Sequence, residues 1–178
     1  MMRRAVICFT RLPLPGRTKT RLLPLLTGAQ CARLHTAFLR DLAAVYAAVD
    51  ADLFIAYSPE GEPDMLGEIF PRAAGFFPQQ GWDLGERMHR AVSQVLEGGY
   101  DACVLTGTDL PELRPDHLSA AFSILEHADA AIGPTPDGGY YLIGLKRPCP
   151  ALFSGQRYGG DTVYAGTLAP ARAAGLSV

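Results

Sequence analysis

Apolar residues occur in this chain in two patterns that alternate with each other. Short continuous apolar runs, typical of strands buried on both faces, lie at residues 5–9, 53–57, 75–78, 102–106, 129–133 and 140–145. Between them, apolar residues recur with helical spacing, and the predicted helices begin after Thr27, at residue 62, after Asp83, at Pro115 and near Thr162. This alternation predicts an α/β fold with a mostly parallel sheet and helices on both faces.

The helical spacing also predicts which side chains face the core. In the helix that begins after Thr27, they are Leu34, Phe38, Leu42, Val45 and Val49. In the helix that begins after Asp83, which Gly98 and Gly99 end, they are Leu84, Met88, Ala91, Val92 and Val95. Ligands of such sheets bind at the carboxyl ends of the strands, so the loops that follow strands are where chemistry is expected.

Charge is distributed unevenly along the chain. The net charge is −2, but residues 1–40 carry eight of the 16 Lys and Arg residues and no acid, whereas residues 41–178 carry all 18 acids. The two parts therefore have charges of +8 and −10. A chain that is acidic overall, with one local group of cations, lacks the broad basic face that nucleic acid binding needs. The pattern favours a small anionic ligand.

Length and composition predict one soluble domain, residues 1–178. No apolar run approaches the roughly 20 residues of a membrane helix, and the apolar run near the N-terminus has no small-residue cleavage site. We therefore expect a cytoplasmic protein without a membrane partner. The four cysteines and four histidines lack zinc-ligand spacing, and Cys8 and Cys103 are expected to pack as small hydrophobic residues.

The first predicted strand ends in a cationic loop, residues 10–21, with the sequence TRLPLPGRTKTR. Clustered cations in a Gly/Pro loop after a strand predict an anion site, most of all for the phosphates of a nucleotide. Because Arg17, Lys19 and Arg21 alternate, an extended segment would point all three side chains the same way. The GxxxxGK motif of a Walker loop is absent. A solvated basic loop is the alternative interpretation.

Two further loops that follow predicted strands carry a carboxylate. Asp109, in TGTDLP at 106–111, is placed to hold Mg²⁺ or Mn²⁺, since Mg²⁺ binds through one or two carboxylates together with substrate phosphates. The alternative is that it caps a turn. Asp137 precedes Gly138 and Gly139, and Asp-Gly between strands is first of all a hairpin signal. In the functional alternative, the glycines let a sugar or acceptor lie against the backbone, and Asp137 binds its hydroxyl.

The only tryptophan, Trp82, lies in a fourth segment at a strand-to-helix junction. Its indole could stack on a base or ring. The more common situation is a tryptophan that covers the core, and we expect that here.

With these four segments in view, the chain resembles a bacterial family of nucleotide-diphospho-sugar transferase-like proteins, some of them linked to glycosyl transfer in arsenosugar synthesis. The matching stretches are FTRLPLPGRTKTRL (9–22), QGWDLGERM (80–88), LTGTDLP (105–111) and PTPDGGYYLIGL (134–145). More distantly, the pattern is similar to the 2-phospholactate and molybdenum-cofactor guanylyltransferases. The resemblance implies the glycosyltransferase-A fold, a three-layer Rossmann-like sandwich that binds nucleotides through Mg²⁺.

The resemblance also implies roles for particular residues. The nucleotide and phosphate ligands it implies are Arg11, Gly16, Arg17, Lys19, Arg21 and Gly85. Asp109 matches the metal-binding aspartate, and Asp137, Gly138 and Gly139 match the loop for the acceptor or sugar. The sequence Gly107-Thr108-Asp109 departs from the Asp-x-Asp of many sugar transferases, and relatives tend to continue past Val178. We therefore expect a second metal ligand or a C-terminal strand to be missing, with Asp161 as a candidate substitute.

The hypothesis that follows is a Mg²⁺-dependent transferase in which Lys19, Asp109 and Asp137 are catalytic. Its partners would be a nucleotide or nucleotide-sugar donor and a small-molecule acceptor. A glycosyltransferase that uses a nucleotide-diphospho-sugar is the first expectation. A nucleotidyltransferase that uses a nucleoside triphosphate, and a nucleotide-binding module without catalysis, are the alternatives.

Overall fold

The computed structural model describes residues 2–178 and contains six strands, five α-helices and two short 3-10 helices in this range. The strands are β1 (Arg4–Thr10), β2 (Asp52–Tyr57), β3 (Gly75–Pro78), β4 (Ala102–Thr106), β5 (Ala130–Pro134) and β6 (Tyr140–Leu145). The α-helices are α1 (Gly28–Ala47), α2 (Asp64–Ile69), α3 (Leu84–Glu97), α4 (Pro115–His127) and α5 (Val163–Ala173). The 3-10 helices are Thr20–Leu22 and Pro150–Leu152.

The strands form one mostly parallel sheet in the order β3-β2-β1-β4-β6-β5. Strands β1 to β4 are parallel, and β6 is antiparallel to both of its neighbours, β4 and β5. The carboxyl ends of β1 to β5 therefore lie at one edge of the sheet, where β6 begins. This topology brings the loops after β1, β3, β4 and β5 to the same edge.

Two hydrophobic cores lie on the two faces of the sheet, and β1 shows how one strand serves both. Ala5 and Ile7 belong to the core under α3 and α5, whereas Val6 and Cys8 belong to the core under α1, α2 and α4. Side chains of a strand alternate between its faces, so a continuous apolar run is what a strand buried on both sides requires. The three-layer α/β sandwich predicted from the sequence is confirmed.

The buried face of α1 differs from the predicted one. Thr27 caps the helix through the predicted capping box, in which its hydroxyl accepts from the Gln30 amide and its amide donates to the Gln30 side chain. The buried residues are Cys31, Ala32, His35, Leu39, Leu42 and Tyr46. Of the five residues predicted to face the core, only Leu42 is fully buried. Polar His35 and Tyr46 take inner positions, where His35 Nε2 lies 3.0 Å from the Arg11 carbonyl oxygen and the Tyr46 hydroxyl lies 2.8 Å from the Thr106 hydroxyl.

In helix α3, the residues predicted to face the core are buried, except for the first one. Met88, Ala91, Val92 and Val95 are buried, but Leu84 is 43% exposed. Asp83 caps the helix by accepting from the Glu86 amide at 2.8 Å. The helix is followed by Gly98 and Gly99, as predicted, and Gly99 has φ 91°.

All four cysteines are buried free thiols. Burial raises the pKa of Cys8 to about 12, so this thiol packs as a small hydrophobic residue rather than acting as a nucleophile. Within residues 2–178, none of the helices has the length and apolarity needed to span a membrane.

Candidate active site

A cleft of about 1030 Å³ opens at the carboxyl edge of the sheet, where the four loops meet. The predicted site residues that line it are Arg11, Lys19, Arg21, Asp109, Asp137 and Gly139. A second cavity, of about 630 Å³, lies at the amino ends of β1 and β2 and is lined by residues such as Arg3, Arg4 and Arg72. The larger cleft is the candidate site because ligands of parallel sheets bind at the carboxyl edge.

The cationic loop is folded into turns rather than extended. The Arg17 amide donates to the Leu14 carbonyl at 3.1 Å, and a 3-10 helix follows at Thr20–Leu22. These turns direct Lys19 and Arg21 into the cleft, whereas Arg17 does not line it. The prediction that Arg17, Lys19 and Arg21 point the same way from an extended segment is therefore wrong.

Lys19 and Asp109, which both line the cleft, form an ion pair that joins the loop after β1 to the loop after β4. The Lys19 side chain is 11% exposed, whereas the Asp109 side chain is 88% exposed. The carboxylate thus faces solvent while the ammonium is largely enclosed. An ion pair between the two predicted functional residues places a positive and a negative group together at the mouth of one cleft.

His35, on α1, holds the start of the cationic loop through its ring, although no sequence motif marks this residue. Its Nε2 lies 3.0 Å from the Arg11 carbonyl oxygen and 3.2 Å from Thr10 Oγ1. A carbonyl oxygen can only accept, so Nε2 carries the hydrogen. Among the described residues, Nδ1 has no hydrogen-bond partner and is buried. Burial lowers the pKa of His35, followed by a smaller opposing contribution from the Arg11 carbonyl.

We expect the His35 ring to make the protein less stable in mild acid. The pKa of His35 in the unfolded chain is about 6.5, and the pKa in the folded chain is lower. As pH falls through about 6.5, the unfolded chain therefore binds a proton that the folded chain does not, and the free energy of unfolding decreases. Urea unfolding between pH 7.5 and pH 5 should show a smaller decrease for His35→Gln than for the wild type. Exposed His127→Gln is the matched control, and an equal decrease in both variants would contradict the assignment.

Asp137 lies in a tight turn that also lines the cleft. Its Oδ1 accepts hydrogen bonds from the Thr135 hydroxyl and, at 3.2 Å, from the Gly139 amide. The Thr135 hydroxyl, and next the Gly139 amide, lower the pKa of Asp137. The hairpin interpretation of this Asp-Gly sequence is confirmed, since the turn joins β5 to β6. The lowered pKa makes Asp137 a weak base and a good hydrogen-bond acceptor.

Trp82 does not cover the core, and the prediction that it does so is wrong. The residue is 95% exposed and lies at the rim of the cleft. Its backbone is held firmly, because the Trp82 amide donates to Glu86 Oε2 at 2.8 Å and the Arg87 side chain donates to the Gly81 carbonyl at 3.0 Å. A large exposed indole on a fixed turn favours the stacking interpretation.

Gly16, Arg17, Gly85 and Gly138 do not line the cleft. Gly16, with φ 73°, lies against the start of α1, where a Cβ on Gly28 would be 2.7 Å from the Gly16 nitrogen. A Cβ on Gly138 would be 1.9 Å from the Asp161 carbonyl oxygen. Asp161 thus approaches the Asp137 loop through its backbone. These glycines allow close packing of backbone beside the site.

Gly85 serves packing in the same way, which leads to a prediction for stability. A Cβ at this position would be 2.2 Å from the Phe153 carbonyl oxygen, and a backbone atom cannot rotate away. We expect Gly85→Ala to lower the free energy of unfolding by about 1–3 kcal/mol. Gly67→Ala in α2 is the matched control, since a Cβ there meets no atom within 4 Å. Urea unfolding measures both, and an unchanged stability of Gly85→Ala would contradict the prediction.

The described residues contain no group of three or more His, Cys, Asp or Glu side chains that could hold a metal ion. Asp109 offers one exposed carboxylate beside an ammonium. Such a site fits Mg²⁺ only where substrate phosphates supply other ligands, which is the ordinary mode of binding for this ion. The residues thus fit a divalent cation that arrives with a phosphorylated ligand.

Solved structures with the same fold include a much closer relative and several distant ones. A protein from Desulfovibrio desulfuricans G20, provisionally assigned as a nucleotide-diphospho-sugar transferase, is 38% identical with a TM-score of 0.90, over 100% of this chain and 79% of that one. A cytidylyltransferase from Leptospira borgpetersenii is 12% identical with a TM-score of 0.62, over 99% and 74% of the two chains. A 4-diphosphocytidyl-2C-methyl-D-erythritol synthase from Anaerococcus prevotii is 10% identical with a TM-score of 0.59, over 92% and 82%.

The distant matches show a shared fold. No curated protein matches the sequence. The resemblance to nucleotide-diphospho-sugar transferase-like proteins is confirmed by the Desulfovibrio relative. A family model matches residues 36–160, most of the chain, and the chain therefore belongs to the bacterial family described as "Uncharacterized protein conserved in bacteria (DUF2064)".

Proposed function

We propose that this protein is a transferase that uses a nucleotide-activated donor, and specifically a glycosyltransferase that acts on a nucleotide-diphospho-sugar. The observation that carries the proposal is the pairing of Lys19 with Asp109 at the mouth of one cleft, at the carboxyl edge of the sheet. The 38% identical relative, provisionally assigned as a nucleotide-diphospho-sugar transferase, supports it.

The cationic loop would bind the diphosphate of the donor. Lys19, Arg21 and Arg11 line the cleft from one side. A lysine ammonium acts on a phosphate oxygen as a point charge, whereas an arginine can donate to two oxygens at once. Negative charge builds up on the leaving phosphate during transfer, and cations already in place stabilise it without reorganisation. In this scheme Lys19 is the catalytic cation, assisted by Arg21.

Asp109 would be the protein ligand of a Mg²⁺ ion shared with the diphosphate. When bound, the ion supplies Lewis acidity and orients the phosphates. Asp109 is suited to this role because its side chain is 88% exposed and lies beside the cleft.

Asp137 would position the acceptor. Its Oδ1 is occupied within the turn, and its pKa is lowered. We therefore infer that Asp137 accepts a hydrogen bond from the acceptor hydroxyl with its other oxygen, rather than taking the proton fully. Gly139 also lines the cleft, and a Cβ there would be 3.0 Å from the Thr135 hydroxyl, so the glycine keeps the turn around Asp137 compact.

Nucleotidyl transfer is the second candidate, and the number of cations favours it. A triphosphate carries more negative charge than a diphosphate, and Arg11, Lys19 and Arg21 together would match it. In this reaction the acceptor attacks the α-phosphate and pyrophosphate leaves. In glycosyl transfer, the bond between sugar and phosphate breaks and a nucleoside diphosphate leaves.

The single tryptophan gives a direct binding assay, since Trp82 lies at the rim of the cleft. We expect its fluorescence to change when a matching nucleotide sugar is added with Mg²⁺, and to stay constant when the corresponding nucleoside without phosphates is added. Phosphorus NMR of the products with a panel of acceptors then separates the candidates. Release of a nucleoside diphosphate supports glycosyl transfer, and release of pyrophosphate supports nucleotidyl transfer. If nucleotides bind but neither product is released, the protein is a nucleotide-binding module without catalysis, and the enzyme proposal is contradicted.

A further inference from the structure

Lys19 has an unusual backbone for its residue type. With φ 50° and ψ 38°, it is the one non-glycine residue of the described chain with a positive φ. Such a conformation is unfavourable for a lysine and persists only where its surroundings hold it. The ion pair with Asp109 is one such contact, but the Asp109 side chain is 88% exposed. Water screens an exposed ion pair, so this pair alone does not explain why Lys19 is held.

The Lys19 side chain also contacts the ring of Phe38. Lys19 Nζ lies over this ring, 4.4 Å from its centroid. A cation over an aromatic face within about 6 Å is attracted by the negative face of the ring. The ammonium thus contacts both the Phe38 ring and the Asp109 carboxylate, and the Lys19 side chain is only 11% exposed.

Packing of the core does not account for Phe38. The sequence pattern assigned this residue to the inner face of α1, but it is only half-buried. Among the described side chains, it is not one of those that pack against either hydrophobic core. A large apolar ring that packs in neither core and lies under a cation has a local role at Lys19.

We propose that Phe38 is a positioning residue that places the Lys19 ammonium for the phosphates of the donor. This inference rests on the proposed function, in which Lys19 binds a phosphate. Asp109 can turn to a metal ion once a ligand is present, whereas the Phe38 ring keeps its place on α1. Lys19 therefore stays ordered when its anionic partner changes from a carboxylate to a phosphate, and the donor need not order a flexible side chain on binding.

The experiment uses the scarcity of lysine in this chain. Labelling with ¹³C-lysine reports on only two residues, Lys19 and Lys146. In the wild type, the ring current of Phe38 should shift the ε-methylene protons of Lys19 upfield, with Lys146 as the internal reference. Phe38→Leu should abolish the shift and weaken the binding of inorganic pyrophosphate about three- to tenfold. Phe38→Tyr keeps an aromatic face and should retain both the upfield shift and the pyrophosphate affinity of the wild type.

The outcomes separate this inference from the proposed function. Absence of the upfield shift in the wild type, or its persistence in Phe38→Leu, would overturn the role of Phe38. Unchanged pyrophosphate affinity in a Phe38→Leu protein that has lost the shift would overturn it as well. If the shift behaves as expected but the wild type binds neither pyrophosphate nor any nucleotide, Phe38 positions Lys19 and the proposed function is what fails. An unchanged Lys146 signal verifies folding, and Phe38→Met replaces the leucine variant if that variant does not fold.

Discussion

Lys19→Met is expected to lower the turnover of the nucleotide donor by about 100- to 1,000-fold, the cost of removing one preorganised group that stabilises developing negative charge. Methionine keeps an unbranched apolar stem that ends where the lysine ammonium begins, and it removes the charge. The loss should be seen mainly in kcat, because the charge on the leaving phosphate grows toward the transition state. Steady-state kinetics with a donor identified by the fluorescence assay gives the measurement.

The chain offers a matched control for this variant in its other lysine. Lys146 follows β6 and does not line the cleft. Lys146→Met therefore removes the same charge from the molecule without touching the site, and its kcat should equal that of the wild type. If Lys19→Met and Lys146→Met have the same kcat, the role assigned to Lys19 is wrong.

Asp109→Asn is expected to abolish the dependence of activity on divalent cations and to lower turnover at least about 100-fold. An asparagine preserves the size of the side chain and can still accept a hydrogen bond from Lys19. It removes the negative charge that Mg²⁺ requires, so the variant should separate metal binding from the contact with Lys19. Kinetics over a series of Mg²⁺ concentrations, with nucleotide binding followed through Trp82, provide the measurement.

Glu112 provides the control for Asp109. It is an exposed acid in the same loop, three residues further along, and it does not line the cleft. Glu112→Gln should have the metal dependence of the wild type. If activity depends on Mg²⁺ as strongly in Asp109→Asn as in Glu112→Gln, Asp109 is not the metal ligand.

The strands could be predicted from the sequence because a strand that is buried on both faces appears as a continuous apolar run. The bounds of β4, Ala102–Thr106, were predicted to the residue, since all five of its residues are buried. Helix α1 was harder, because its inner face includes His35 and Tyr46. One ring nitrogen of His35 is matched by the backbone carbonyl of Arg11, and the Tyr46 hydroxyl by that of Thr106. Such partners lie far away in sequence, so spacing alone could not show that these two positions are buried.

The candidate site was predictable to a similar degree. Lys19, Asp109 and Asp137 meet at one cleft because parallel strands bring their loops to the same edge. The orientation of Arg17 was not predictable, because it depends on the turn that begins at Leu14. Nor did the sequence assign Phe38 to the site. Its position on an apolar helical stripe gives the same signal as a core residue, and the sequence shows neither the left-handed backbone of Lys19 nor the contact of its ammonium with the ring.

The central claim is that Lys19 and Asp109 act together on one polyanion. A crystal structure of the protein with a nucleoside diphosphate and Mg²⁺ tests this most directly. The account predicts the diphosphate in the cleft of about 1030 Å³, with a phosphate oxygen in contact with Lys19 Nζ and the ion on Asp109. A diphosphate bound elsewhere, for example beside Arg3 and Arg72 in the cavity at the amino ends of β1 and β2, would contradict it.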